Sequence, residues 1–207
     1  MPTSVPALLP LSVFEAVQNI DTPADDGLGA LQDELAAKRL GLSPTVAAQV
    51  ARYREQARAG AEVGEDEALA VFRLVGRRPD AALVYADAGR RAARHAARRL
   101  STGRRAMIAA APGRAGRALA LRASCQLARR WLLADLRATD GQLRCEMLDS
   151  PALRARDDGT GCHFYTAAFA ELLRQVGGLE WTVTHETCRG QGDPRCVWLA
   201  RRAEAYE

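Results

Sequence analysis

The stretch HETCRGQGDPRC, residues His185–Cys196, decides how the C-terminal half of the chain is interpreted, together with GTGCHFY upstream. The chain has only three histidines and five cysteines, yet one histidine and two cysteines fall within these twelve residues. The Gly-Asp-Pro run favours a turn that brings the last cysteine back toward the first. Thiolates with an imidazole suit tetrahedral zinc, and four protein ligands are typical of a structural site. The pattern predicts a structural zinc site formed by Cys162, His185, Cys188 and Cys196.

Two alternatives to this ligand set stay open. Glu186 or Asp193 could replace one ligand, because carboxylate oxygens also bind zinc. The cysteines could instead be buried thiols without a metal, because the stretch has no CxxC pair and free cysteine is commonly buried. Cys125 and Cys145 lie in apolar helical and strand patterns, and we expect them in the core.

The composition is that of an ordinary globular protein, with 207 residues, 48% hydrophobic and 26% charged. Such a chain can form one sizeable core, or one domain with an appendage. No apolar run approaches the roughly 18–20 residues that cross a bilayer. The first residues carry three prolines and no basic leader, which is not typical of a secretory signal. We therefore expect a cytoplasmic protein, in which cysteines are thiols or metal ligands rather than disulfides.

The net charge of +4 is unevenly distributed. Between Arg77 and Arg137 there are fifteen arginines and three aspartates, an excess of twelve, so the remainder is acidic by eight. A basic segment can attract nucleic acid, anionic lipid or carboxylated ligands. The aromatic content of 5% offers few platforms for stacked bases, so nucleic-acid binding is not expected. Peripheral membrane contact is left open.

Helical periodicity dominates the first half of the chain. Residues 1–23 are expected to form an irregular lead-in with one short helix near LSVFEAVQNI. Two helices follow within residues 28–59, the second beginning at Ser43-Pro44, which is a typical cap and first position. EDEALAVFRLVGRR predicts another helix. We assign residues 1–60 to a helical N-terminal region and residues 61–207 to an α+β domain.

The segment Pro79–Leu100 predicts a helix with two different faces. One stripe contains small residues almost throughout and favours close packing on another helix or on a dimer mate; its members are Ala82, Ala86, Gly89, Ala93, Ala96 and Leu100. The other face carries arginines and His95. That face is either solvated or in contact with phosphate, lipid or a ligand carboxylate.

The second half predicts a mixture of helices and strands. Residues 101–116 are interpreted as a loop that contains at most one short strand, and RALALRASCQLARRWLLADLRA as a helix ending before TDGQ. Alternation predicts strands at QLRCEMLDS, LEWTVTHE and CVWLARR, and CHFYTAAFAELLRQVGG predicts a helix. The expected fold class is therefore α+β, an antiparallel sheet packed by helices.

The stretch GCHFYTAAFAELLRQVGGLEWTVTHETCRGQGDPRCVW resembles the C-terminal signature of the 4-vinyl reductase domain family. That signature is a cysteine, a helix, a strand ending near an acid or histidine, and C-R-x-x-G-D/H-x-x-C. The earlier helix VYADAGRRAARHAARRL is also similar, which extends the resemblance to residues 64–201. The resemblance implies a TRAPP-subunit-like fold, a homodimer and an apolar pocket. It also implies zinc bound through Cys162, His185, Cys188 and Cys196, with His185 where the family usually has glutamate.

Stand-alone members of this family imply a role in bacteriochlorophyll synthesis, around 8-vinyl reduction of divinyl (proto)chlorophyllide. Vinyl reduction requires a hydride or electron source. The sequence has neither GxGxxG after a strand nor an iron–sulfur cysteine run. We therefore expect a tetrapyrrole-binding carrier or accessory protein. Two alternatives stay open: a sensor or interaction module for a small aromatic molecule or a lipid, and a reductase that uses an external electron donor. The expected ligand contacts are His163 or His95 to magnesium, Arg90 or Arg94 to a propionate, and Tyr165; a pigment-synthesis enzyme is an expected partner.

Overall fold

The computed structural model describes residues 4–22, 43–139, 142–178 and 181–202. These residues form a mixed helix and strand architecture, which confirms the α+β class. The helices are α1 Leu8–Asp21, α2 Pro44–Ala59, α3 Glu65–Gly76, α4 Ala81–Arg98, α5 Thr102–Ala110, α6 Gly113–Leu127, α7 Pro151–Arg154 and α8 Cys162–Gly177. The strands are β1 Ser4–Pro6, β2 Glu62–Gly64, β3 Leu136–Thr139, β4 Gln142–Met147, β5 Trp181–Thr187 and β6 Cys196–Arg202.

Two antiparallel sheets order these strands. The larger sheet has the order β3-β4-β6-β5, and β1 pairs with β2 in a small two-stranded sheet. On β4 the alternating residues Leu143, Cys145 and Met147 are buried, as their period of two predicts. Strand β6 lies between β4 and β5 and is hydrogen-bonded on both sides. The strand that begins at Cys196 is therefore in the interior of the sheet.

Helix α8 packs between α4 and the larger sheet. The two helices approach closely because the contact face of α4 carries small side chains; a Cβ on Gly89 would lie 2.0 Å from the carbonyl oxygen of Phe164. The predicted close helix packing is confirmed, although the buried face is rotated and Ala82 and Ala86 are only half-buried. The fully or nearly fully buried small residues are Ala81, Ala88, Gly89, Ala92, Ala93, Ala96 and Ala97.

Aromatic rings connect α8 to α3 on one side and to strand β6 on the other. Phe72 and Phe164 meet edge to face at 5.5 Å, and Phe169 and Trp198 do so at 5.8 Å. Such pairs add about 0.5–1.5 kcal/mol beyond the area they bury. The Tyr85 hydroxyl donates to the Phe72 carbonyl at 2.7 Å, so its polar atom is satisfied inside the core.

The N-terminal segment corrects one sequence prediction. The helix expected near LSVFEAVQNI is present within α1, but residues 4–21 are not an irregular lead-in, because β1 pairs with β2 and α1 runs for fourteen residues against α4. Pro10 is compatible with α1 because it lies in the first turn, where no intrahelical partner needs its missing N–H. The helix predicted within residues 28–42 lies outside the described residues. The domain boundary near residue 60 stays a prediction.

Two further predictions are wrong in the segment that follows α4. Residues 101–116 contain α5 and the beginning of α6 rather than a loop with a strand. The next helix also ends earlier than predicted: α6 stops at Leu127, a π-helical turn covers Ala128–Leu132, and Leu133 takes a left-handed conformation at φ 57°. The chain then enters β3 directly. None of the helices described has the length and apolarity that spanning a bilayer requires.

Candidate metal centre

The fold brings together the four predicted ligands from three elements. Cys162 is the first residue of α8, His185 lies in β5, Cys188 follows β5, and Cys196 begins β6. One ligand atom from each of the four lies within 4.8 Å of every other. Cys162, Cys188 and Cys196 are buried and His185 is half-buried. The sequence prediction that these residues form one cluster is therefore confirmed.

The sulfur atoms have the spacing that a tetrahedral metal requires. The Sγ atom of Cys162 lies 3.8 Å from that of Cys188 and 3.6 Å from that of Cys196. A tetrahedral zinc ion with Zn–S bonds of about 2.3 Å separates neighbouring sulfurs by about 3.8 Å. Three thiols and one imidazole are also a closed donor set that suits zinc. The residues therefore fit a four-coordinate zinc ion.

His185 has a ring nitrogen that the protein leaves without a partner. Its Nε2 atom is buried and has no hydrogen bond within the described residues. The ring stacks on Trp198 with the centroids 4.6 Å apart, which fixes its plane. Burial, and then the neighbouring charge of His163, lower the pKa of His185, so the ring is neutral and able to donate a lone pair. A buried ring nitrogen without a hydrogen-bond partner requires an explanation, and coordination of a metal ion provides one.

Backbone hydrogen bonds shape the turn between β5 and β6. The Cys188 N–H donates to Asp193 Oδ2 at 2.7 Å, and the N–H groups of Gln191 and Asp193 donate to the Cys188 carbonyl at 2.9 and 3.2 Å. The Arg189 N–H donates to Cys196 Sγ at 3.4 Å. Hydrogen bonds of this kind orient ligands and stabilise a thiolate.

The two carboxylates that the sequence left open as ligands have other roles. Asp193 holds the turn through the Cys188 N–H, and Glu186 is exposed on β5 with Arg201 3.9 Å away. Glu186 lies at the register irregularity between His185 and Thr187, and its side chain is exposed, whereas that of His185 is half-buried. Neither carboxylate belongs to the group of four.

Glycines leave the space in which the turn packs. A Cβ on Gly159 would lie 2.5 Å from Cys188 Sγ, and one on Gly190 would lie 2.2 Å from the Gly159 nitrogen. Gly159 also has φ +80°, a conformation that glycine adopts without steric strain. The two loops therefore touch through their backbones beside the sulfur atoms. Sequence reasoning missed this contact, although GTG immediately before Cys162 was a signal for it.

The cluster also has the electrostatics of a cation site. Burial raises the pKa of Cys162, and the nearby Cys196 and Cys188 sulfurs raise it further. Burial is also the largest cause that raises the pKa of Cys196. Closely packed thiols in a buried site do not ionise together without a compensating positive charge. A divalent cation would supply that charge, and the first turn of α8 contributes its positive helix end at Cys162.

The residues predicted to contact a ligand lie in different surroundings. Tyr165 is 1% exposed within the aromatic core, and His163 is exposed. Arg94 donates to Glu171 at 2.7 Å, while Arg90 lies 3.7 Å from Asp87. His95, expected on a solvated face, is half-buried and hydrogen-bonded to Glu15 at 2.8 Å. Their roles as ligand contacts stay predictions.

A groove of about 320 Å³ lies beside α8, at the end opposite to the cluster. Its lining residues are Arg90, Ala167, Ala170, Glu171, Arg174, Trp181 and Thr182. Burial alone would raise the pKa of Glu171, but hydrogen bonds from Arg174, Arg94 and Gln175 outweigh it and lower the pKa to about 2. The carboxylate is therefore ionised and holds Arg174 at the rim of the groove.

Comparison of the chain with protein-family models, with curated proteins and with solved structures finds no match in any of the three. The candidate site is therefore supported by its own geometry. Three kinds of observation carry it: the sulfur spacing, the unpaired His185 nitrogen and the backbone donors to the turn.

Proposed function

We propose that this chain is a zinc-stabilised binding protein of the 4-vinyl reductase domain family, with a TRAPP-subunit-like sheet and helices. The observation that carries the proposal is the cluster of Cys162, His185, Cys188 and Cys196 within 4.8 Å. These are the positions at which the motif resemblance implies metal ligands. The resemblance also implies a homodimer, which we include in the proposal.

The zinc in this proposal is structural. Four protein ligands fill a tetrahedral coordination sphere and leave no open position for a substrate. The ion would connect the beginning of α8 to the C-terminal end of β5 and the beginning of β6. It would thereby fix the position of α8, whose C-terminal half borders the groove. The role of this chain's residues is to hold that geometry.

The proposed ligand is an apolar or aromatic molecule that carries a carboxylate. Ala167 and Ala170 give the groove an apolar floor, Trp181 provides an aromatic surface, and Arg90 and Arg174 lie at the rim. Arginine pairs with carboxylates through charge-assisted hydrogen bonds. A chlorophyllide-type tetrapyrrole, with its propionate at Arg90 or Arg94, is the first candidate, and the protein would act as its carrier or accessory protein in bacteriochlorophyll synthesis.

The size of the groove favours a second candidate. About 320 Å³ is at the lower end of the range for small-molecule sites, and a tetrapyrrole would enter with one edge only. A small aromatic acid would fit within it. In that case the chain would be a sensor or interaction module of the same domain family.

Titration of the full chain distinguishes these functions. Divinyl protochlorophyllide, added without a reductant and followed by absorbance and fluorescence, is expected to bind saturably with its vinyl group intact. Arg90→Gln should weaken binding roughly 10-fold or more, because a hydrogen bond to a charged group contributes about 1.5–3 kcal/mol. Arg73→Gln, an exposed arginine on α3, is the matched control.

Each outcome of that titration selects a function. Binding of benzoate-type acids without binding of the tetrapyrrole would replace the carrier with the sensor module. Loss of the divinyl spectrum after addition of a reductant and the protein would identify a reductase with an external donor. Absence of binding by both ligand classes would contradict the proposal.

A further inference from the structure

Helix α5 differs from the other long helices because none of its residues is buried. A helix on a globular protein normally buries one apolar stripe against the core. Here α5 and α6 form an antiparallel hairpin, joined by the turn at residues 111–112, and α5 packs on α6 at its edge. A groove of about 440 Å³ remains between this hairpin and the C-terminal ends of α4 and α8. Side chains of α5 therefore face the solvent.

The same hairpin carries positive charge that carboxylates do not compensate. Residues 98–134, which include the hairpin, contain nine arginines, five of them within the hairpin, and neither aspartate nor glutamate. Within the described residues, Arg129 is the member of this set that forms an ion pair, with Asp135. Arg104 donates to the neutral Gln126 amide, and Arg99 lies over the Trp131 ring. Arginines elsewhere are commonly paired, as Arg78 is with Asp21 and Arg94 is with Glu171.

Several of these arginines share one face of the hairpin. Arg114 and Arg122 are both exposed on α6, eight residues apart, and the exposed Gln126 follows four residues after Arg122. The hydrogen bond from Arg104 to Gln126, 2.8 Å long, places α5 beside that row. Met107 lies one turn from Arg104 and is 50% exposed. We call the set Arg104, Met107, Arg114 and Arg122 the cationic face.

We propose that the cationic face docks the protein on the surface of a bilayer that contains anionic phospholipids. Arginines near such a surface are attracted to its negative potential, and an exposed apolar side chain among them can enter the headgroup region. The site is separate from the metal cluster and from the groove at Arg90. Docking there would place the protein at a membrane surface, in addition to its binding of a small molecule in the groove.

Other occupants fit this face less well. A second copy would bring two uncompensated arginine surfaces together, which like-charge repulsion disfavours. Single-stranded nucleic acid is bound by basic grooves combined with exposed aromatic rings. In the part of the chain that the structure describes, no aromatic side chain is fully exposed, and Trp131 is 9% exposed beneath Arg99 and Arg130.

Co-sedimentation of the full chain with vesicles tests the proposal. We expect binding to vesicles of phosphatidylcholine mixed with phosphatidylglycerol, no binding to phosphatidylcholine alone, and weaker binding at high salt. The variant Arg104→Gln/Arg114→Gln/Arg122→Gln should bind the mixed vesicles roughly 100-fold less tightly, since each basic residue near an anionic surface contributes about 1 kcal/mol. Met107→Asp should also weaken binding.

A charge-matched variant serves as the control. Arg73→Gln/Arg77→Gln/Arg202→Gln removes three exposed arginines outside the cationic face and should bind as the unmodified chain does. Equal binding to both vesicle types, or an equal loss in the control variant, would overturn the proposal. Tighter binding to duplex DNA than to mixed vesicles, with no effect of Met107→Asp, would assign the face to nucleic acid instead.

Discussion

At the scale of single residues, alanine substitutions at two glycines with left-handed backbones distinguish a steric clash from backbone strain at the candidate metal centre. Gly159 has φ +80° and its Cβ would meet Cys188 Sγ at 2.5 Å, whereas Gly192 has φ +98° and open space around it. Gly159→Ala should therefore weaken metal binding, measured by competition with a chromogenic chelator. Gly192→Ala should cost about 1–2 kcal/mol of stability from its backbone alone and leave metal affinity unchanged. Equal metal affinity in both variants would contradict the predicted packing of Gly159 on the sulfur.

The cysteines offer a second comparison at this scale. Cys188→Ser should release the metal and lower the free energy of unfolding by roughly several kcal/mol, because binding free energy at a structural zinc site is also folding free energy. Cys125→Ser is the control, since Cys125 is half-buried in α6 and lies outside the cluster. Metal content by mass spectrometry and thermal melting measure both effects. Unchanged metal content and melting in Cys188→Ser would rule out its role as a ligand.

Residue types and spacing were sufficient to predict the cluster of four candidate ligands, but not to exclude Glu186 and Asp193 from it. That decision depends on which face of β5 meets α8, and a register irregularity between His185 and Thr187 lies at this point. A bulge changes the direction of side chains without leaving a mark in the residue pattern. The backbone donors and the packing of Gly159 likewise require the folded turn.

At the scale of elements, the contact between α4 and α8 depends on Gly89. Its Cβ would lie 2.0 Å from the Phe164 carbonyl oxygen, so the two helices would have to separate. Gly89→Ala should destabilise the protein by about 1–3 kcal/mol, as an overpacked core position does. Gly103→Ala, in α5 with open space around it, should instead stabilise by up to about 1 kcal/mol through helix propensity. Chemical denaturation measures the free energy of unfolding of both variants. Equal free energies of unfolding would contradict the close approach of α4 and α8.

Elements with strong periodicity were predicted, and elements without it were not. Ser43 caps α2 and Pro44 begins it, as the residue types indicate. Helix α5 was missed because it has no buried stripe, and its flanking Ser101, Pro112 and Gly113 are typical of loops. Strand β3 was assigned to the preceding helix because ADLRA has good helix formers; its pairing with β4 overrides that local preference.

At the scale of the whole molecule, Glu171 makes stability depend on pH. Its pKa is lowered to about 2 from 4.5, so its contribution is fully present above about pH 4.5 and is lost as the pH falls toward 2. Glu171→Gln should reduce stability at neutral pH by about 2 kcal/mol and flatten the pH dependence between pH 4.5 and 2. Glu55→Gln, exposed on α2, is the control. Urea denaturation across this range checks the prediction; parallel curves for the two variants would contradict it.

The α+β class followed from the sequence because helical and strand patterns were clear in the second half. The arrangement of the helices in the first half could not be predicted from the sequence, because it depends on contacts between residues that are distant in the chain. Glu15 in α1 binds His95 in α4 at 2.8 Å and Arg54 in α2 at 3.0 Å, and Asp21 pairs with Arg78. Charges on an apparently solvated face therefore form links between helices, which residue spacing within one helix cannot indicate.

X-ray absorption at the zinc edge of the purified full chain tests the central claim most directly. We expect zinc at one ion per chain, with three sulfur ligands at about 2.3 Å and one nitrogen ligand at about 2.0 Å. That result would assign the cluster of Cys162, His185, Cys188 and Cys196 as a structural zinc site. Absence of zinc after supplementation, or a coordination shell of nitrogen and oxygen without sulfur, would contradict the account.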